Sequence, residues 1–472
     1  MAELLEVRDL GYSYQSYTGT PSRQVLDHLG LSIPTGRKVL VLGPFDAGKS
    51  TLARILSGLT PKYLGGPITG SLMLDGKDLL ACEPWDLVEE VGYVSQNPQE
   101  QFIASTVEDE LAFPLESMGV ERQEMRQRVD QALKRWGLEK YRKVSESQLS
   151  GGERKRVLVA LEEMLDPKLW ILDESFDDLD QDWRERLADA IRRSGHAVLV
   201  FASRYLSQFP GLFDDTYLLE DGRLVPAGED PRASFSALCG DDGLVPLRPV
   251  KPEGNMHVLE ARDIRIVHRR VSDEERRVFH LEVPEFRLES GQIITLVGEN
   301  GSGKSTFARV ACGLDPFEKG TMTIDGRRLD RNELNCTVGY LFQNPDLQIF
   351  LPTVRDELSW SLERDASVDR KEISERVAEA CSLFGLDPED TPTTMSYPQR
   401  KALQGAVYYL LDRPFYILDE LDNALTYRKA QEITRLLGGK GSGILVISHD
   451  SQFARLVGTD GYRIDGQRMV RA

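Results

Sequence analysis

The chain is short of the residues that staple small folds. Its 472 residues hold only five cysteines, at 82, 239, 312, 336 and 381, and no C-x-x-C pair. This excludes a disulfide framework and a zinc module of the usual spacing, and suits a reducing compartment. Long hydrophobic runs are missing as well. No stretch of eighteen apolar residues occurs and the first residues carry no charged and apolar leader, so the expectation is a chain neither exported nor membrane-spanning by itself. Positive charge is in deficit: 58 Lys and Arg against 76 Asp and Glu leave a net charge of −18. Sequence-independent binding to nucleic acid depends on cationic side chains displacing counterions, so this balance argues against it.

What is present is a glycine-rich element that occurs twice. Residues 298–306 read Gly-Glu-Asn-Gly-Ser-Gly-Lys-Ser-Thr, between the apolar run 293–297 and the helix-forming run 307–310. Residues 43–51 read Gly-Pro-Phe-Asp-Ala-Gly-Lys-Ser-Thr in the same strand, loop, helix context. Gly43, Gly48, Gly298, Gly301 and Gly303 let the backbone curl and aim N–H groups at phosphate oxygens, at the positive end of the following helix. In this pattern Lys49 and Lys304 reach the β- and γ-phosphates, Ser50 and Ser305 reach a magnesium ion, and Thr51, Asn300 and Thr306 complete the loops. Later landmarks repeat at a spacing of roughly 250 residues: Gln96 with Gln343, Ser150 with Ser396, Asp173 with Asp419.

The chain is therefore two copies of one unit. We assign 1–228 to the first, 229–254, with four prolines and three glycines, to a linker, and 255–472 to the second. Alternating strands and helices around phosphate loops predict an α/β fold, each copy a mostly parallel sheet with an antiparallel β patch and a helical insert. Residues 1–14 alternate apolar and polar positions and predict an edge strand. Residues 107–136 carry helical periodicity ended by Gly137, and Ser150 is placed to cap a helix over 154–165.

Cleaving a γ-phosphate requires charge neutralisation, a metal and an oriented water. Asp173-Glu174 and Asp419-Glu420 each follow a buried-looking strand. Each aspartate is expected to hold magnesium, and each glutamate to polarise the attacking water. Gln96 and Gln343 sit on strand-breaking Gln-Asn-Pro turns as neutral amides for metal or water, and His449 follows the run 444–448 where it can donate to the γ-phosphate.

Both copies resemble the nucleotide-binding domains of ABC ATPases, on the two phosphate loops, the two Asp-Glu pairs and the signature Leu149-Ser150-Gly151-Gly152-Glu153. The resemblance implies binding of ATP with Mg2+, and head-to-tail pairing in which each ATP lies between one domain's phosphate loop and the other's signature. It thereby pairs the second loop, Gln343, Asp419, Glu420 and His449 with the intact Ser150, Gly151 and Gly152. The first loop, Gln96, Asp173 and Glu174 would meet Met395-Ser396-Tyr397-Pro398-Gln399, where tyrosine and proline replace glycine. Ser203 stands at the family's switch histidine, and Thr426 at the aspartate matched by Asp180. One hydrolytic and one mainly ATP-holding site are expected. An adenine-stacking aromatic is matched by Tyr14 and replaced by His268 in the second copy.

The segments Gln96–Phe102 with Thr106–Phe113, and 343–348 with 353–358, are similar to ATPases of energy-coupling factor importers. That likeness implies a transmembrane coupling protein and a substrate-binding membrane protein as partners, with the chain at the cytoplasmic face of the membrane. Glu108, Asp109, Glu110, Asp356 and Glu357 are then candidates to meet basic residues of the partner. Competing readings are a soluble twin ABC ATPase acting on ribosomes or DNA, and an ATP-dependent regulatory scaffold.

Overall fold

The computed structural model describes residues 3–14, 24–62, 65–177, 179–241, 244–252, 254–270, 277–299, 301–363, 369–423, 425–458 and 460–472, with the side chains of 84, 268–270, 277, 278 and 451 outside the description. The chain divides into two compact units, residues 1–240 and 241–472.

In the first unit a six-stranded sheet runs Arg223–Pro226, Asp215–Glu220, Lys38–Leu42, Ala197–Ala202, Leu169–Asp173, Val91–Val94. All neighbours are parallel except the first pair. The central strands Lys38–Leu42, Leu169–Asp173 and Ala197–Ala202 are buried at every position, as expected of parallel strands covered on both faces. Two apolar clusters form the covers. One contains Leu111, Leu133, Trp136, Val157 and Trp170 under the helices, and the other Leu52, Ile55, Leu5 and Leu26 beside the antiparallel sheet.

That antiparallel sheet has four strands in the order Gln24–Pro34, Glu3–Ser13, Ile68–Leu74, Lys77–Asp78. The first strand of the chain is thus internal, paired on both sides, and not the edge its alternation suggested. Alternation reports that one face is buried, and carries no information about how many neighbours a strand has. The helical stretch 107–136 is two helices, Val107–Ser117 and Arg122–Arg135, separated where Gly119 takes a φ of 74°. The helix Gly151–Leu165 is capped by Ser150 in a reciprocal capping box with Glu153.

The second unit repeats the plan in a single ten-stranded sheet. Its parallel part aligns Val338–Leu341, Phe415–Asp419, Gly443–Ile447 and Ile293–Val297. Its antiparallel part joins through one parallel bridge, Glu282 with Arg468. Within the stretch read as linker, Pro231–Cys239 is a helix capped by Asp230, and its Phe235 is buried in the first unit's core. Further along, the Leu247 N–H bonds to the Leu456 carbonyl and the Val250 N–H to that of Gly291, inside the second unit.

Candidate functional site

Each phosphate loop lies between a parallel strand and a short helix, Lys49–Leu56 or Lys304–Ala311. Gly48 and Gly303 have φ of 101° and 109°, a region closed to most side chains. A Cβ at Gly48 would also come within 2.9 Å of Val25 Cγ1, and one at Gly303 within 2.6 Å of Phe279 Cζ. Both lysines fold over their own loops in the same way. Lys49 Nζ donates to the carbonyls of Gly43 and Pro44 at 2.8 and 2.9 Å, and Lys304 Nζ to those of Gly298 and Glu299 at the same two distances. Burial pulls the Lys304 ammonium below its ordinary pKa, against the opposing pull of Glu420 and Asp419.

The strand-end aspartates arrive beside these loops because Leu169–Asp173 and Phe415–Asp419 end at the carboxyl edge of the sheet. Asp173 is wholly buried and Asp419 is 1% exposed. Burial raises the pKa of both. Neither oxygen of Asp173 nor Oδ1 of Asp419 has a hydrogen-bond partner among the described residues. The hydroxyls of Ser50 and Ser305 approach them and favour the ionised form, without completing bonds of full geometry at those oxygens. A buried carboxylate with open lone pairs beside a hydroxyl is a donor set suited to Mg2+. Tyr340 Oη donates to Asp419 Oδ2 at 2.5 Å, and the matching Tyr93 is likewise buried. These tyrosines were missed from the sequence, although Val-Gly-Tyr before each Gln-Asn-Pro turn was a repeat available to find them.

The two glutamates differ. Both have left-handed backbone, φ 50° at Glu174 and 49° at Glu420. Glu420 Oε2 accepts from Gln343 Nε2 at 2.7 Å and from the Asn423 amide, while Oε1 lies 3.6 Å from His449 Nδ1. The structure therefore gathers Gln343, Glu420, His449, Lys304 and Asp419. Glu174 instead accepts from the Ser203 N–H at 2.8 Å and from the Ser203 hydroxyl, with Lys49 Nζ 3.4 Å away. Burial pushes its carboxyl up to about 7, against the pull of Lys49. Among the described residues Gln96 makes no side-chain bond to it; the Gln96 carbonyl is met by Lys155 Nζ, 3.3 Å away, which also holds the Glu174 carbonyl at 2.9 Å. At the position of Asn423 the first unit has Asp177, whose charge raises the proton affinity of Glu174.

Tyr14 reaches the first loop, its hydroxyl 2.8 Å from Thr51 Oγ1 and its ring edge-on to Tyr12. The side chain of His268, and Asn300, lie outside the described residues. Gly301 is exposed with open space around it, and Thr306 is half-buried. Ser150, Gly151 and Gly152 begin their helix with Ser150 and Gly151 open to solvent. Asp180 and Thr426 act alike in the local backbone, since each caps the next helix by accepting from the N–H of Trp183 or Lys429.

One expectation is corrected. Glu110 and Glu357 are buried, 4% and 5% exposed, and face their own chain. Glu110 Oε2 accepts the N–H groups of Ile103 and Ala104 at 3.0 and 2.7 Å, and Glu357 Oε2 those of Phe350 and Leu351 at 3.1 and 2.7 Å. Glu108 is engaged by Arg142 and Lys143. Only Asp109 and Asp356 of the five remain exposed, and each bonds its capping threonine.

Two phosphate loops, each with a buried aspartate and an adjacent glutamate at a parallel sheet's edge, define a protein of the nucleoside-triphosphate-hydrolysing class. The family model described as ABC transporter matches residues 26–177 and 281–423, and the chain belongs to that family. It is similar to a protein of Treponema denticola described as an ABC transporter ATP-binding protein, 31% identical over 476 residues, covering 95% of this chain and 93% of that one. A Clostridium perfringens protein of the same description is 28% identical over 496 residues, covering 95% and 86%. The solved structure of an RNase-L inhibitor superposes with a TM-score of 0.61 at 20% identity, covering 97% of this chain and 89% of that one. An archaeal ribosome recycling factor, solved with a ribosomal stalk protein, gives 0.62 at 20% over the same shares. The chain is thus an ATPase with two ABC domains that binds ATP with Mg2+.

Proposed function

We propose that the chain is the ATP-hydrolysing subunit of a membrane importer of the energy-coupling factor type, with hydrolysis concentrated at the second unit's glutamate. The observation that carries the asymmetry is the set of partners around the two glutamates. Glu420 is held by two amides with His449 alongside, an arrangement that leaves a carboxylate able to polarise water and a donor able to meet the γ-phosphate. Glu174 has a different set: one oxygen accepts the Ser203 N–H and the other the Ser203 hydroxyl, with Lys49 Nζ 3.4 Å away, and serine stands where the second unit has His449. Mg2+, once bound, supplies charge neutralisation at the transferred phosphate. Ser305 and Asp419 would hold it, Lys304 would grip the phosphates, and Gln343 would orient Glu420. The motif pattern further supports pairing of the two units, with Ser150, Gly151 and Gly152 closing on the second loop. The first loop would retain ATP against the altered signature at Ser396.

A membrane role is supported by the loops after each glutamine. Ile103 and Phe350 are 71% and 72% exposed, each on backbone pinned by a buried glutamate. Beside Phe350 a cavity of ≈ 370 Å³ is lined by Leu347, Phe342, Trp360, Val407 and Arg413 among others. Among the described residues no helix is long and apolar enough to cross a membrane, so the apolar knobs would be met by a separate transmembrane coupling protein. The test is steady-state ATPase of Glu420→Gln against Glu174→Gln in the full chain. Glu420→Gln is expected to lose roughly 100-fold or more in kcat and Glu174→Gln less than about 3-fold. Comparable losses would refute the asymmetry.

A further inference from the structure

We propose that Tyr397, which stands where the second signature would have glycine, is a positioning residue for the hydrolytic glutamate of its own unit, acting through Gln343. This rests on the reading of Glu420 as the group that polarises water.

The contacts form a short relay. Tyr397 Oη donates to the Gln343 carbonyl at 2.7 Å, across 54 residues of sequence. The Gln343 side chain in turn donates to Glu420 Oε2 at 2.7 Å. The amide can hold the carboxylate only while its own backbone stays in place, and Gln343 is an exposed residue on a loop that ends a strand. An exposed loop glutamine carries considerable rotamer freedom, and tethering its peptide restricts the orientations the amide samples.

The rest of the helix Tyr397–Leu411 grips the same loop. Lys401 Nζ donates to the Phe342 carbonyl at 2.6 Å, Gln404 Nε2 to the same oxygen at 3.3 Å, and Arg400 Nε lies 2.7 Å from Asp346 Oδ1. Lys401 is 1% exposed, and burial brings its ammonium down to about 8. Tyr397 adds the bond closest to the reacting end, on the glutamine itself. In the first unit Gly151 occupies the matching position and has no side chain to offer. There the loop is held by Lys155 at 3.3 Å, and the Gln96 amide makes no bond to Glu174 among the described residues. The substitution that removes a phosphate cradle from the second signature has thus supplied a brace to the glutamine loop of the same unit.

Tyr397→Phe deletes the hydroxyl and keeps the ring. In the full chain we expect kcat to fall about 3- to 10-fold, the size of one lost neutral hydrogen bond. KM for ATP should stay within about twofold, because the Lys304 loop is untouched. In a Gln343→Ala background, where the amide is gone, Tyr397→Phe should change kcat no further. An unchanged kcat in the single variant would overturn the proposal. So would an equal further loss in the Gln343→Ala background, or a change confined to KM, since either places the hydroxyl's effect elsewhere. Glu420→Gln run alongside separates the two failures. Turnover surviving in that variant removes the assignment of Glu420 and the proposal with it, whereas abolished turnover beside a wild-type Tyr397→Phe removes the brace alone.

Discussion

A glutamate in the first turn of a helix can serve solvent or its own fold, and Glu357 serves the fold. Two backbone N–H groups end on one of its oxygens, and those N–H groups belong to the loop that presents Phe350. Replacing it with lysine would leave two donors unmet and bury a cation against them. The expected cost is about 3–5 kcal/mol, with thermal unfolding of the full chain as the measurement. Asp356→Lys, at an exposed neighbour, should cost about 1 kcal/mol or less. A Glu357→Lys variant that melts like wild type would contradict the internal role. The acidic cluster was visible in the sequence, but not its orientation. Glu108-Asp109-Glu110 reads as three equivalent charges until the loop folds back over the third.

At the scale of elements, the helix Gly151–Leu165 carries a second buried carboxyl, Glu162, packed over Gly92 at the sheet edge. Burial pushes it up to about 7, opposed by the Tyr93 N–H. A carboxyl whose pKa is raised by folding contributes stability that is complete below its unfolded value, near 4.5, and that is lost as pH rises through about 7. Glu162→Gln should therefore raise the unfolding midpoint by several degrees at pH 8 and change it little at pH 5, up to roughly 3 kcal/mol. Equal effects at both pH values would exclude the burial account. The effect is confined to the first unit, because the matching position holds Tyr408, whose hydroxyl is bonded by Gln348. The phosphate loops, the strand-end aspartates and the Ser150 cap were readable in the sequence because each depends on local backbone chemistry. The helix Pro231–Cys239 was readable too, from Asp230, Pro231 and Gly240 at its ends, yet its proline and glycine content suggested a linker. Contacts made across long sequence separation, such as Ser203 on Glu174 or Tyr340 on Asp419, had no such local signature.

For the whole molecule, the proposed importer role requires a binding partner on the exposed Ile103 and Phe350. Replacing both with aspartate should abolish co-purification with a membrane protein while the isolated chain keeps its ATPase activity, and undiminished recovery would count against a membrane partner at these two residues. The plan of a nucleotide unit is written twice here with little change in backbone: Gly48 and Gly303, the two lysines over their loop carbonyls, and the left-handed glutamates all agree in conformation. What separates the two pockets is a handful of side chains, Ser203 for His449 and Asp177 for Asn423 among them. On the asymmetry proposed above, the quieter pocket keeps its mould intact, so a few replacements would rekindle it, and the same economy would let one copy of a duplicated machine be retired from cutting while it goes on holding.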